Sequence, residues 1–206
     1  MSERSTWTVT THDWSTDLDL QHLAEVRAAS TDGGGGRRHL LLEVLAYADD
    51  EAQALGRVGL AVVTLRDDGS VTVEDDGRGT DTRVDEQGRV VRKPVMATRD
   101  VRFHGAVDAP LLPDGLPRRG MSTVAALSAV LVHENHRSDG AWSQTYRHGV
   151  PDDELHAVAQ ASASGTSVTF RPGAEVRGPS SLTAEDLTAF AWLRIEVRGP
   201  QQASRG

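Results

Sequence analysis

The segment Glu74–Gly79 constrains this chain most, because it places adjacent acids and two glycines directly after an alternating apolar run. Val71 and Val73 have the spacing of a β-strand with one buried face. Glycines at the end of such a strand let the backbone come close to a ligand, and Asp75 would add a carboxylate there. Asp-Asp-Gly is also the composition of an ordinary turn, so other segments must decide between the two interpretations.

The overall composition is that of a globular protein. The 206 residues are enough for one domain with a hydrophobic core, and 38% of them are hydrophobic and 25% charged. There is no cysteine, which excludes disulfides, thiolate zinc sites and a cysteine nucleophile. The N-terminal residues are polar, and no apolar run approaches the roughly 18 residues of a membrane span. We therefore expect a cytoplasmic protein that does not contact membranes.

The formal net charge of −8 bears on the choice of partner. Proteins that hold duplex DNA by themselves usually present a basic face to its phosphates. Direct DNA binding is therefore not expected, although the charge of the whole chain leaves a local basic patch open.

The strongest helix pattern runs from His39 to about Gly56. Its apolar stripe consists of Leu40, Leu41, Val44, Leu45, Ala48, Ala52 and Leu55. Glu43, Tyr47 and Asp50 are spaced by four and three residues, so they share a second face and can project into one cleft. Gly56 is a suitable C-terminal stop for this helix.

The other patterns predict short helices and strands without repeated β-α-β units. Helices are expected at 19–27 and 121–128, a hairpin at 59–65 and 70–74, strands at 129–133, 142–146 and 166–170, and a helix followed by a strand within 182–197. The four glycines at 33–36 indicate a flexible connector, and residues 79–119 a long irregular loop with one short ordered piece near residue 90. This order predicts an α+β fold with an antiparallel or mixed sheet.

Four segments, in order and spacing, resemble the ATP-binding domain of the DNA gyrase B protein and its relatives in the GHKL (Bergerat-fold) ATPase superfamily. They are the helix around Glu43, the acidic and glycine-rich segment Glu74–Gly79, the segment Ser143–Pro151, and the pair Gly165–Thr166. The resemblance implies a two-layer sandwich, with helices on one face of a mixed, mostly antiparallel sheet. It divides the chain into an N-terminal arm or extension at 1–18 and a single ATP-binding domain at 19–206.

The resemblance also implies roles for individual residues. Asp75 resembles the buried aspartate that accepts a hydrogen bond from the adenine amino group, and Thr166 resembles its hydroxyl partner. Glu43 resembles the general base that activates water for attack on the terminal phosphate. Without the resemblance, Thr166 is a simple strand residue and Glu43 a common helix-surface acid.

Gly77, Arg78 and Gly79 also belong to the implied nucleotide site, and Glu51 is implied as the partner of Arg78. Gly77 and Gly79 would let the chain pass close to the base and the ribose. Arg78 and Glu51 resemble an ion pair that closes over the adenine pocket, although as surface charges they would contribute little.

The implied metal site departs from the family pattern. One helical turn after the glutamate, the family has a magnesium-binding asparagine, and here that position is Tyr47. Mg²⁺ prefers hard oxygen ligands in octahedral geometry, and a phenol is a poor replacement. Asp50 could reach a metal only through water, so Asp50 is assigned to the nucleotide site and no metal ligand is predicted.

The implied lid over the phosphates also departs from the pattern. In the segment 114–122, only Gly115 and Gly120 remain of a glycine-rich loop that binds phosphates through backbone N–H groups. Gly120 is expected at the nucleotide. Arg118 and Arg119 either substitute their charge for the lost donors or are exposed loop arginines.

These observations together predict a stand-alone ATP-binding domain related to type II topoisomerases, without their cleavage regions. ATP or ADP is the expected ligand, and hydrolysis is expected to be slow or absent, so the chain is at most a weak ATPase. The alternative is a degenerate, non-catalytic module that uses the same fold for regulation or protein interaction. A kinase of the histidine-kinase type is disfavoured by Gly165–Thr166. A homodimer, formed through the N-terminal arm, or another protein partner is a further expectation.

Overall fold

The computed structural model describes residues 11–13, 16, 18–30, 36–84, 86–88, 90–106, 108–138, 140–152, 155–159, 161 and 163–199. The expectations for the N-terminal arm at 1–18 and for the four glycines at 33–36 fall mostly outside these residues. None of the helices in the described ranges has both the length and the apolar character needed to span a membrane.

The described residues form helices and strands in the following order. They are α1 Leu20–Ser30, α2 Arg37–Leu55, β1 Gly59–Leu65, β2 Val71–Asp75, β3 Thr82–Val84, β4 Val90–Arg92, α3 Met121–Ala126, β5 Ser128–Arg137, β6 Gly140–Arg147, β7 Val150–Pro151, β8 His156–Ala157, β9 Gly165–Pro172, α4 Asp186–Ala189 and β10 Leu193–Arg198. The main sheet has the order β10-β1-β2-β9-β5-β6-β7, with β8 beside β6, and β3 pairs with β4 in a separate ladder.

The main sheet is mixed. β1 pairs in parallel with β10, and all other ladders of the main sheet are antiparallel in the described residues. α2 packs against β1, β2 and β10, and α3 packs against β5 and β6. The prediction of a two-layer α+β sandwich with a mixed, mostly antiparallel sheet is therefore confirmed.

Helix α2 is the central element of the helical layer. Its apolar stripe is buried over most of its length, including Leu40, Leu41, Leu45 and Ala48, because it lies between the sheet and α3. Gly56 ends the helix in the left-handed conformation with φ +65, and its N–H donates to the last carbonyls, as the sequence predicted.

The predicted hairpin brings Asp75 into the sheet. Arg66 and Ser70 close the β1–β2 turn through a backbone hydrogen bond of 3.0 Å, and Gly69 has φ +79. β2 then extends one residue beyond the predicted strand, to Asp75. Its ladder with β9 pairs Glu74 with Ser167, and the same antiparallel register places Asp75 opposite the residue before Ser167.

Residues 79–119 are more ordered than the sequence predicted. β3 and β4 form an antiparallel ladder, and the turn that follows buries Val95, Met96 and Ala97 in the main core. The backbone N–H of Asp19 donates to the carbonyl of Ala97 over 2.9 Å, which ties this turn to the start of α1. The Pro- and Arg-rich composition of this segment predicts a loop. The sequence does not reveal its order, because that order depends on contacts with elements distant in the chain.

Two other predicted bounds were wrong. α3 ends at Ala126, and β5 runs on from Ser128 to Arg137, well beyond the predicted 129–133. Polar residues such as His133 and Asn135 interrupt the apolar pattern of β5. They remain in the strand because β5 is paired on both sides, with β6 and β9.

Gly165 sets the approach of β9 to β2. A Cβ at this position would overlap the backbone carbonyl oxygen of Asp75, and its φ of +149 is one that L side chains rarely adopt. The absence of a side chain therefore lets the start of β9 lie directly against the end of β2, where the two candidate site residues Asp75 and Thr166 meet.

We expect Gly165→Ala to destabilise the fold, because the new methyl group collides with the backbone of Asp75. Gly140→Ala is the matched control, since Gly140 has φ +151 but open space around its Cα. The control should lose about 1–2 kcal/mol from its backbone conformation alone. Gly165→Ala should lose about 2 kcal/mol more. Urea unfolding followed by circular dichroism measures both; equal losses would contradict the proposed close approach.

Candidate functional site

A cleft with a volume of about 180 Å³ lies between α2 and the segments that follow β2 and β4. The residues that line it are Thr11, Tyr47, Ala48, Asp50, Glu51, Ala54, Asp75, Arg78, Gly79, Thr80, Asp81, Lys93, Arg102 and Thr166. The cleft thus brings together Asp50, Asp75, Arg78, Gly79 and Thr166 from the predicted site. Glu43, Gly77 and Gly120 are not among the described residues that line it.

Asp75 and Thr166 form one end of the cleft. The Thr166 hydroxyl donates to Asp75 Oδ2, while the backbone N–H groups of Gly77 and Thr166 donate to Oδ1 over 2.9 and 3.4 Å. A carboxylate has about four acceptor positions, so about one remains for a donor in the cleft. Burial raises the pKa of Asp75, although these hydrogen bonds act in the opposite direction. A further donor would therefore stabilise the ionised carboxylate.

Gly77 and Gly79 are required by the protein's own packing. A Cβ at Gly77 would lie 2.7 Å from Glu51 Cγ and 2.8 Å from Asp75 Oδ1. A Cβ at Gly79, which has φ +81, would lie 2.7 Å from Asn135 Oδ1. That these glycines lie close to a base and a ribose stays a prediction. Their close contacts with neighbouring side chains are by themselves enough to explain why glycine is needed at both positions.

Arg78 and Glu51 form an ion pair at the rim of the cleft. Arg78 Nε and Nη2 donate to Glu51 Oε1 and Oε2 over 2.6 and 3.0 Å, and the backbone N–H of Arg78 donates to Oε1 over 3.1 Å. The Arg78 side chain is 51% exposed, so the pair contributes at most about 1 kcal/mol to stability. Its geometric effect is to join α2 to the loop that follows β2.

Asn135, which the sequence analysis missed, fixes the opposite rim. Its side chain is fully buried, and its Oδ1 accepts from the Thr80 N–H over 2.6 Å while its Nδ2 donates to the Thr80 carbonyl over 3.2 Å. Arg137 donates to the carbonyl of Gly79 over 3.3 Å. One feature of the sequence could have identified Asn135: it is a polar residue at an inward-facing position of a strand. A buried amide at such a position needs hydrogen-bond partners.

Glu43 is enclosed beneath the lid segment. Its side chain is fully buried, and its two carboxylate oxygens accept from the backbone N–H groups of Arg119 and Gly120 over 2.6 and 3.1 Å. Burial raises the pKa of Glu43 to about 7, against the lowering effect of these two donors. The structure therefore places Gly120 on Glu43 and separates both from the cleft.

His39 links Glu43 to a second carboxylate. His39 Nδ1 lies 2.8 Å from Asp114 Oδ2, and His39 Nε2 lies 3.5 Å from Glu43 Oε1. Burial lowers the pKa of His39, which favours the neutral imidazole.

Asp50 of α2 also lines the cleft, and arginines occupy its oxygens. Arg118 donates to both oxygens over 2.9 Å, and Arg102 donates to Oδ2 over 2.8 Å. Arg102 also donates from Nε and Nη2 to the buried Asp100, over 3.0 and 2.7 Å to its two oxygens. The four side chains form a network of two positive and two negative charges.

Arg118 is therefore not an exposed loop arginine. Its side chain is 10% exposed, and its guanidinium lies 4.4 Å from the centre of the Phe103 ring. Arg119 acts through its backbone, because its N–H donates a hydrogen bond to Glu43 Oε1. The lid segment is thus held down by Arg118 through Asp50 and by Arg119 and Gly120 through Glu43.

The residues at the expected metal position do not fit Mg²⁺. Tyr47 lines the cleft, and burial raises the pKa of its phenol well above the usual range, so the group stays neutral. The oxygens of Asp50 already accept from two guanidinium groups. Within the described residues, no group of three or more His, Asp and Glu side chains has the arrangement of a metal site.

Comparison with known proteins points to the same family. No protein-family model matches the chain. The B protein of DNA gyrase from Thermotoga maritima is 35% identical over 141 residues, which cover 68% of this chain and 22% of that protein. The B protein of the type 2 topoisomerase from Aquifex aeolicus is 34% identical over 171 residues, which cover 81% of this chain and 22% of that protein. The chain belongs to the gyrase B-type GHKL domain family.

A solved structure has the same fold as this gyrase B-type domain. The topoisomerase IV ATP-binding domain of Francisella tularensis, in complex with a small-molecule inhibitor, superposes with a TM-score of 0.60. The match covers 84% of this chain and 46% of that one, at 20% sequence identity. The predicted family and fold are confirmed, and the chain spans about a fifth of the length of the two curated relatives.

The raised pKa of Glu43 makes the stability of this gyrase B-type domain depend on pH. A folded-state pKa of about 7, against an ordinary value of 4.5, means that the folded state holds the proton more tightly. The stabilisation is complete below about pH 4.5 and disappears as the pH rises through about 7. The free energy of unfolding, relative to Glu43→Gln, should therefore fall by about 3 kcal/mol across this window.

Urea unfolding of both proteins at several pH values measures this difference. Glu74→Gln is the control, because Glu74 is exposed on β2 and its replacement should leave the pH profile of the wild type unchanged. A constant difference between wild type and Glu43→Gln from pH 4 to pH 8 would contradict the inferred burial of a protonated carboxyl.

Proposed function

We propose that this gyrase B-type domain binds an adenine nucleotide, ATP or ADP, in the cleft beside Asp75. The observation that carries the proposal is the free acceptor position of Asp75, whose other positions are filled by Gly77 and Thr166. A fixed acceptor in a half-buried pocket is what recognition of the adenine amino group requires. The similarity to gyrase proteins and to a domain named for ATP binding supports the same ligand.

The proposed site selects adenine by hydrogen-bond chemistry. Adenine presents an amino donor where guanine presents a carbonyl oxygen. That oxygen would face the carboxylate of Asp75, and a buried acceptor without a donor is unfavourable. Thr166 holds the carboxylate in place, because its hydroxyl and its N–H each donate to a different oxygen.

Hydrolysis is proposed to be slow or absent. Glu43 is fully buried and does not line the cleft, and its two oxygens accept from the lid N–H groups of Arg119 and Gly120, so water could reach it only if the lid segment moves. With a pKa of about 7, an uncovered Glu43 would suit a general base at neutral pH. The replacement of the metal-binding asparagine by Tyr47 further supports a weak or inactive ATPase.

The second candidate is a non-catalytic module that binds nucleotide or a protein partner without hydrolysis. The same two features favour it, since the enclosed Glu43 and the phenol of Tyr47 both concern catalysis and leave the Asp75 end of the cleft intact. A homodimer or another protein partner stays a prediction for either candidate, and direct DNA binding is not proposed.

Asp75→Asn should weaken ATP binding at least about tenfold and remove the preference for ATP over GTP, because an amide can offer a donor where the carboxylate only accepts. Asp76→Asn is the matched control. Asp76 accepts from the N–H of Leu60 and pairs with Arg57, and it does not line the cleft. Its replacement should leave the dissociation constants for both nucleotides within about twofold of the wild type.

Isothermal titration calorimetry with ATP, ADP and GTP, each with Mg²⁺ and with EDTA, provides these constants. If the wild type binds neither ATP nor ADP at millimolar nucleotide concentration, the proposed function is wrong. Unchanged selectivity of the Asp75→Asn variant would refute the assigned pocket while leaving nucleotide binding in place.

A steady-state ATPase assay separates the two candidates. Any activity of a true enzyme should be lost in Glu43→Gln, since the amide cannot take up the proton of the attacking water. The variant should retain the ATP affinity of the wild type, because Glu43 lies outside the cleft. A turnover that is equal in both proteins would exclude Glu43 as the base and point to contamination or to another residue.

A further inference from the structure

Lys93 is the only lysine in the chain, and it lines the cleft. The chain has 22 lysines and arginines in total, and all of them except Lys93 are arginines. Lys93 follows β4, and its backbone is fixed on both sides, since its N–H donates to Asp81 over 3.0 Å and its carbonyl accepts from Val95 over 2.9 Å. A single lysine at the cleft is therefore held in a defined place.

The ammonium group of Lys93 is available to a ligand. No hydrogen bond or ion pair joins it to another side chain in the described ranges, although the side chain is half-buried. Of the carboxylates that attract it, Asp81 and Glu51 lie on the cleft wall, but they are engaged with Arg137 and Arg78. Among the described residues, the ammonium group of Lys93 is therefore left without a direct ion pair and can make one with an anionic ligand.

Arg102 lies in the same wall and has donors left over. Its Nε, Nη1 and Nη2 each use one N–H on Asp50 or Asp100. A guanidinium group has five N–H donors, so about two stay available on a side chain that is 32% exposed. Because Asp50 and Asp100 are balanced by Arg102 and Arg118, the network adds no net negative charge to repel an anion.

Arg102 contacts Asp50, one of the residues at the expected metal position, and Lys93 lines the same cleft. In nucleotide sites, Mg²⁺ neutralises the phosphate oxygens and orients them. Here neither Tyr47 nor the arginine-bound Asp50 fits the ion. An ammonium group acts on phosphate as a point charge, and a guanidinium group as a directional donor, so Lys93 can offset part of the phosphate charge while the remaining N–H groups of Arg102 orient the phosphate.

We propose that Lys93 and Arg102 bind the phosphates of the nucleotide in place of Mg²⁺, so that nucleotide binding is independent of the metal. This inference rests on the proposed function, because it takes the base to lie at Asp75. The phosphates then extend through the part of the cleft that Lys93 and Arg102 line, and meet the two cations. Mg²⁺ in solution competes with Lys93 for the same oxygens and gives no gain in affinity.

Calorimetry of the full chain tests the affinity. The dissociation constant for ATP should be equal within about twofold, or lower, in EDTA than in excess Mg²⁺. Lys93→Met should weaken ATP at least about tenfold, leave adenosine unchanged within about twofold, and be rescued in part by Lys93→Arg. Arg194→Met, at an exposed position of β10, makes the same change of net charge away from the cleft and should have no effect.

A spectroscopic signal reports Lys93 directly. Reductive methylation with ¹³C-formaldehyde keeps the charge of the amine and labels Lys93 and the N-terminal amino group. In an NMR titration, the Lys93 signal should shift on addition of ATP in EDTA and stay in place on addition of adenosine. The N-terminal signal serves as the internal reference.

The outcomes separate the inference from the proposed function. ATP binding that prefers ATP over GTP, but requires Mg²⁺ and is unchanged in Lys93→Met, overturns the inference and leaves the proposed function standing. The same holds for an unmoved Lys93 signal at saturating ATP. Absence of binding by ATP, ADP and adenosine overturns both.

Discussion

The contact between Asp75 and Thr166 joins two residues that are 91 positions apart, and the candidate site depends on it. It exists because β2 and β9 are neighbours in the sheet and because Gly165 brings their ends together without a side chain between them. A carboxylate in this position is costly to bury, and only its hydrogen bonds make it tolerable. A fold that needed this position for stability alone would gain more from an apolar residue, which is in keeping with the proposed role of Asp75 in binding a ligand.

Two carboxylates of α2 follow a different principle. Their charges are neutralised within the protein: Asp50, which lines the cleft, by two arginines, and Glu43, which does not line it, by backbone donors and by a pKa near neutrality. Both carboxylates hold the lid segment against α2, and Arg118 adds the Phe103 ring to this contact. The groups that the sequence resemblance assigned to the nucleotide site are used here to close the structure.

The sequence predicted those parts of the fold and site whose signals are local. The apolar stripe of α2, the Asp-Gly turn of the hairpin and the acidic segment after β2 each lie within a few residues, so periodicity and turn chemistry identify them. It could not predict partners such as Thr80 with Asn135, or Arg118 with Asp50, which are 55 and 68 positions apart. These pairs form only when the sheet and the lid segment come together. They hold the segments around the cleft in place and so determine which of the predicted residues line it.

The parallel pairing of β1 with β10 has a consequence for how the chain folds during synthesis. β1 and β2 form early, but the outer edge of β1 stays open until residues 193–198 have left the ribosome, more than a hundred residues later. An open strand edge is a template for pairing with other chains. Asp49 of α2 accepts from the N–H of Trp192 over 2.7 Å, immediately before β10. The helix that forms one wall of the cleft thus also anchors β10, the strand that covers this edge of β1 and then forms the edge of the sheet itself.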